Sequence, residues 1–83
     1  MENIFSVVSC INRLCQQVKF EQYETLIYDL LVIRANVNIS PDTDVKILNL
    51  INNHMTDGKL SIDNRAFLLI LLTSREVGKF LKE

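Results

Sequence analysis

The stretch Ser40-Pro41-Asp42-Thr43-Asp44-Val45-Lys46-Ile47-Leu48-Asn49-Leu50-Ile51 opens with the clearest local instruction in the chain. Ser40 is an N-cap whose hydroxyl accepts from a free amide of the first turn. Pro41 then occupies the first helical position, where a missing N–H costs nothing, and Asp42 and Asp44 complement the positive end of the helix dipole. The spacing predicts a third helix from Pro41 to about Met55, stopped at Gly58 by a left-handed C-terminal residue.

Upstream, Val37-Asn38-Ile39 reads as a short extended link. Glycine and proline are scarce, with Pro41, Gly58 and Gly78 the only ones, so the turn chemistry of a many-stranded fold is missing and an all-α chain is expected. From Ile4 the apolar residues recur as Ile4, Val7/Val8, Ile11, Leu14/Cys15 and Val18, one stripe of an amphipathic helix, with Asn3, Asn12, Arg13, Gln16 and Gln17 on the other face. The stripe loses phase near Lys19 and resumes as Phe20, Tyr23, Ile27 and Leu30/Leu31, which places a bend there and a second helix beyond it. In that helix Leu26, Ile27, Tyr28, Leu30, Leu31, Val32 and Ile33 cover most of the circumference, so it is expected to be central or partly covered by a partner.

Downstream of Gly58, Leu60-Ser61-Ile62-Asp63 offers two caps. Asp63 is preferred, because Ile62 and Phe67 then form a hydrophobic staple. Phe67 to Leu72 are consecutive apolar residues, so this fourth helix is expected to be the spine of the core. Thr73-Ser74-Arg75-Glu76 either continues it or restarts a short fifth helix carrying Val77, Phe80 and Leu81. The sum is one helical domain over residues 1–83, a single small bundle of four or five helices.

With 83 residues, 48% of them apolar and 23% charged, the chain has a globular composition. A domain of this size buries only about 60% of the surface its unfolded chain exposes, so apolar surplus has to find another home. A net charge of −1 and a pI near 5.8 provide no positive field to gather nucleic acid or anionic lipid. The N-terminus lacks a basic, cleavable leader, and the longest uncharged apolar run, Ala66 to Leu72, is far short of the ~20 residues of a membrane span. A cytoplasmic protein is expected. Cys10 and Cys15 diverge on one helix and fit neither a redox motif nor a local disulfide, so two buried, reduced thiols are expected. Asn38-Ile39-Ser40 matches a glycosylation triplet, but Pro41 follows it and no export signal precedes it.

No chemistry-bearing constellation forms. Asp57-Gly58-Lys59-Leu60-Ser61-Ile62-Asp63 echoes a calcium loop, yet aligning Gly58 puts Met55 at a ligand position and Asn64 where a bidentate Glu belongs. His54 is the only histidine and is expected to be a hydrogen-bonded residue at the edge of the core. The serines sit in no nucleophile motif. The pairs Glu21/Glu24 and Asp42/Asp44 are each expected in a first helical turn, where dipole complementation accounts for them. No enzyme activity, metal or cofactor is therefore expected. Helices three and four could be called helix-turn-helix, but the second would put leucines against base edges, and the only basic cluster is Arg75, Lys79 and Lys82.

Tyr23-Glu24-Thr25-Leu26, Asn38-Ile39-Ser40, Lys46 to Ile51 and Phe67 to Leu72 give a leucine spacing that resembles the small enterobacterial helical regulators of the YmgB and YcgZ type. That resemblance implies dimers acting as connectors to signalling systems. Small helical immunity proteins against bacterial toxins are similar to the same degree, and no functional residue is carried over from either. The residues themselves point to a non-enzymatic interaction protein that regulates or inhibits a protein partner, as a homodimer or in complex, with a dimeric nucleic-acid-associated regulator as the alternative. Helix two is the expected contact element, with Tyr28, Val32 and Arg34 at its outer positions mixing aromatic, aliphatic and arginine character as interface centres do.

Overall fold

Helix formation follows the caps and stripes closely in the computed structural model, which describes the backbone of residues 4–80 and the side chains of residues 7–80. The side chains of Asn3, Ile4, Leu81 and Lys82, used above, lie outside those residues. Five helices and no strand are found among the described residues: α1 Ile4–Phe20, α2 Leu26–Asn36, α3 Pro41–Asp57, α4 Ile62–Thr73 and the single turn α5 Arg75–Gly78. The chain is all-α, as its scarcity of turn residues implied.

α3 begins where Ser40 and Pro41 place it. The Thr43 amide donates to Ser40 Oγ at 3.4 Å, and the helix closes on Gly58 at φ 69°, whose N–H donates to the His54 carbonyl at 2.8 Å. A second contact completes the cap from a distance: the Ser40 N–H donates to Glu76 Oε2 of α5 at 2.7 Å. Glu76 thus does for α3 what the acid at the third helical position of a capping box does within one helix.

Two boundaries differ from the sequence reading. α1 runs on through Lys19 to Phe20 and ends in a Schellman closure, with Glu21 in the left-handed region at φ 56° and the Gln22 amide bonded to the Gln17 carbonyl at 3.0 Å. Glu21 and Glu24 therefore sit in the α1–α2 connection rather than in a first turn. α4 is capped by Ser61, whose Oγ accepts from the Asn64 amide at 3.1 Å, and not by Asp63. The serine cap leaves Asp63 inside the first turn, where its charge faces the dipole, and Ile62 projects into solvent without stapling Phe67. Ser74 ends α4 and caps α5, accepting from the Val77 amide at 3.3 Å.

α1 and α2 pack most extensively on each other; α3 lies on α2, α4 lies on α1, and α5 folds back on α4. The core joins Val7, Cys10, Ile11, Leu14 and Val18 of α1 to Leu26, Leu30 and Ile33 of α2, Ile47 and Leu50 of α3, Leu68 and Leu71 of α4, and Val77. The α1 stripe is the one read from periodicity. α2, held between α1 and α3, is the inner helix, one of the two placements its apolar circumference allowed, whereas α4, expected to be the spine of the core, is peripheral and leaves one face uncovered. A radius of gyration of 11.7 Å is close to the ~12 Å of a folded chain this long.

Candidate interaction surface

The apolar face that packing leaves over runs along α4. Leu68, Leu71 and Leu72 point inward, while Ile62 is 87% exposed, Leu69 52% and Ile70 66%. With Ala66 and Thr73, also exposed, they form an unbroken outward stripe at spacings of four and three along a helix of 12 residues. No charged side chain lies within it: Asp63 borders one edge, and on the other Arg65 is engaged in an ion pair with Glu21. The ridge separates two shallow grooves. One, against α3, is lined by Ala66, Phe67, Ile70, Lys46 and Asn49, and the other, against α1, by Leu69, Leu72, Val18 and Cys15.

The three residues expected to form a contact on helix two are not presented together. Val32 is only 6% exposed and belongs to the core, which removes it from any surface; it sits inward because α2 is covered by α1 and α3. Tyr28 is exposed, with the Arg13 guanidinium 5.7 Å from its ring centre. Arg34 is exposed and donates to Asp44 of α3 through Nε at 2.6 Å and an η nitrogen at 3.2 Å. Both remain on the surface, where Leu31, Val45 and Leu48 add exposed apolar area.

A polar network was not anticipated at all. Asp29 of α2 is 0% exposed, and its carboxylate accepts from Arg13 Nε at 3.0 Å, an Arg13 η nitrogen at 2.5 Å, Gln17 Nε2 at 2.8 Å and Thr25 Oγ1 at 3.2 Å. Gln17 is buried as well and accepts the Thr25 amide through Oε1 at 2.9 Å. Gln17 is therefore not a solvated residue of an outer face, and Arg13, although 45% exposed at its side chain, is tied to the buried carboxylate. Donating to the Asp29 carboxylate raises the Arg13 guanidinium above its ordinary pKa. Both carboxylate oxygens accept hydrogen bonds from α1, so the group ties α1 to α2 in a fixed arrangement.

The remaining reactive groups carry no assembled chemistry. Cys10 is buried, with its sulfur 3.7 Å from an Arg13 η nitrogen, and Cys15 is half-buried with its thiol pKa pushed up by desolvation, the opposite of a reactive thiolate. His54 is half-buried at the edge of the core, as expected, and its Nδ1 is buried without a hydrogen-bond partner among the described residues. Among the described residues no cluster of three or more His, Cys, Asp or Glu could hold a metal ion, and no helix is long and apolar enough to cross a membrane. Scans against protein-family models, curated proteins and solved structures found no match to this chain.

Proposed function

We propose that the protein is a non-catalytic interaction module, a small helical regulator or inhibitor that engages a protein partner through the outer face of α4. One observation carries the reading: a ridge of Ile62, Ala66, Leu69 and Ile70 that the fold leaves in water, uninterrupted by charge. The fractional exposures of Ile62, Leu69 and Ile70 amount to about two whole side chains. Covering them is worth roughly 3–6 kcal/mol at 1.5–3 kcal/mol per side chain, before the cost of association is subtracted. An apolar ridge of this kind suits a protein groove or helix; phosphates would call for the lysines and arginines it lacks.

The test is substitution on the ridge with capture of the partner from the source cell. Ile70→Asp is expected to abolish capture and biological activity with an unchanged far-ultraviolet circular dichroism spectrum, because the side chain makes little of the core. Full activity of Ile70→Asp and of Leu69→Asp would remove the basis of the reading.

A further inference from the structure

The two grooves that flank the α4 ridge differ in charge. The one against α3 carries Asp63 and Glu76 beside Lys46, with the amides of Asn49 and Asn64 on its walls. The one against α1, a space of about 340 Å³, has two cations, Lys19 and Arg65, and no acid, over walls of Cys15, Val18, Leu69 and Leu72. Both cations stand at one end of it. Arg65 lies near the start of α4 and is ion-paired with Glu21, two residues beyond Lys19, so the start of α4 sits beside the end of α1. Glu21 offsets one of the two charges. Lys19 has no ion pair among the described residues, its ammonium lying 5.4 Å from the centre of the adjacent Phe20 ring, so the mouth keeps one uncompensated positive charge. At the opposite end the Thr73 hydroxyl already donates to the Leu69 and Ile70 carbonyls, each at 3.1 Å. Between the cations and Thr73 the walls are apolar carbon and the Cys15 thiol.

We propose that this groove binds an amphipathic carboxylate, a medium-chain fatty acid whose headgroup meets Lys19 and Arg65 and whose tail lies along Val18, Leu69 and Leu72 toward Thr73. Charge complementarity asks for an anion at one end, and the apolar walls ask for a chain without polar atoms. An extended peptide would bring N–H and C=O groups that nothing along the walls could satisfy. A helix, about 10–12 Å across with its side chains, is too wide for the space. An unbranched alkyl chain brings no group that needs a partner. From Arg65 to Thr73 the groove follows α4 for about 12 Å at 1.5 Å per residue, and decanoate, at roughly 1.2 Å per bond of an extended chain, reaches about 11 Å. A space of about 340 Å³ lies at the small end of ligand pockets, which run ~300–1,000 Å³. Leu69, 52% exposed, leaves one side of the tail in water, so the expected Kd is on the order of 0.1–1 mM. The site goes beyond the protein-contact reading of the ridge and does not depend on it; Leu69 and Thr73 belong to both, and the test alters neither.

The test uses the intact chain with decanoate as the probe and Cys15 as the reporter, since Cys15 lines the groove while Cys10 is buried. Decanoate is expected to slow iodoacetamide alkylation of Cys15 in a saturable way, read by mass spectrometry of the Cys15 peptide, and to shift the methyl resonances of Val18, Leu69 and Leu72 with the same Kd. Hexanoate, four methylenes shorter, should bind at least tenfold more weakly, because half-covered methylenes contribute about twofold each. Lys19→Glu should raise the decanoate Kd about fivefold or more. It should also invert the preference for charge: decyltrimethylammonium, weaker than decanoate on the wild type, becomes the tighter ligand of the variant. Lys19 is exposed, so the circular dichroism spectrum stays unchanged. No protection of Cys15 at millimolar decanoate, equal binding of hexanoate, or a Kd unmoved by Lys19→Glu would each overturn the site. A wild type that takes decyltrimethylammonium as tightly as decanoate would reduce the binding to apolar adhesion and overturn it as well.

Discussion

Replacing Arg13 by Met should destabilise the protein more than replacing its partner Asp29 by Asn, although the two share one ion pair. The asymmetry comes from where each group lies: the Arg13 side chain is 45% exposed, whereas that of Asp29 is 0% exposed. Asp29→Asn leaves a guanidinium that can turn to water, so the cost is a mismatched buried hydrogen bond with Gln17, about 1–2 kcal/mol. Arg13→Met leaves a carboxylate enclosed among Gln17, Thr25 and the core, and removing one partner of a buried pair costs about 3–5 kcal/mol. The retained Gln17 and Thr25 donors place the expected value near the lower bound, about 3 kcal/mol. For 83 residues at about 0.05–0.15 kcal/mol each, that is a quarter or more of the total stability. The double variant is the decisive one, since R13M/D29N carries no buried charge and should be more stable than R13M alone. Urea denaturation followed by circular dichroism measures all three. A loss below 1 kcal/mol for Arg13→Met, or a double variant that is the sum of the singles, would refute the argument that an unpaired carboxylate dominates.

Three further outcomes follow from the caps and the α5 contact. Ser61→Ala should cost about 1 kcal/mol in denaturation, more than Asp63→Ala, because the serine hydroxyl holds the Asn64 amide. Glu21→Gly should exceed Glu21→Ala in stability by about 1 kcal/mol, since both lose the ion pair with Arg65 but only glycine sits at φ 56° without steric cost. The Glu76 carboxyl lies below its usual pKa because Ser40, through its polar side chain and the amide that donates to Glu76, favours the charged form. Its contribution is present above the ordinary carboxylate range and is lost as pH falls through the depressed value. Thermal melts of wild type and Glu76→Gln should accordingly converge on acidification, and a gap independent of pH would count against the contact.

The sequence made legible whatever is enforced locally. Ser40, Pro41 and Gly58 set both ends of α3 through bonds to residues within one turn, and the α1 stripe has a phase that only one side of the helix can satisfy. The end of α1 was hidden because its left-handed position is held by Glu21, with no glycine or asparagine to announce it; the closure rests on the Gln22 amide finding the Gln17 carbonyl. Apolar content likewise could not rank α2 against α4, since both are greasy on most sides. Which of them is enclosed depends on the size of the neighbours each acquires: α2 lies between the long helices α1 and α3, whereas α4 has α1 and only the single turn α5.

The misplacement of Val32 has a more instructive cause. A helix apolar all round has no amphipathic phase, so a wheel of α2 built from its hydrophobic residues cannot say which side faces inward. Its one acid could have said so. Asp29 stands within the run Leu26 to Ile33, and a charge in so apolar a helix is either the mark of its wet side or the site of a buried pair. Donors for such a pair were at hand one turn apart, Arg13 and Gln17 on α1 and Thr25 at the start of α2, a matched set of i, i+4 spacings. Taken as the inward reference, Asp29 puts Val32 and Ile33, three and four residues on, against the core, and turns Tyr28 and Leu31 outward, which is how the helix lies. α4 has no such residue between Ala66 and Leu72, so nothing polar commits its outer face to the interior, and Leu69 and Ile70 stay in water.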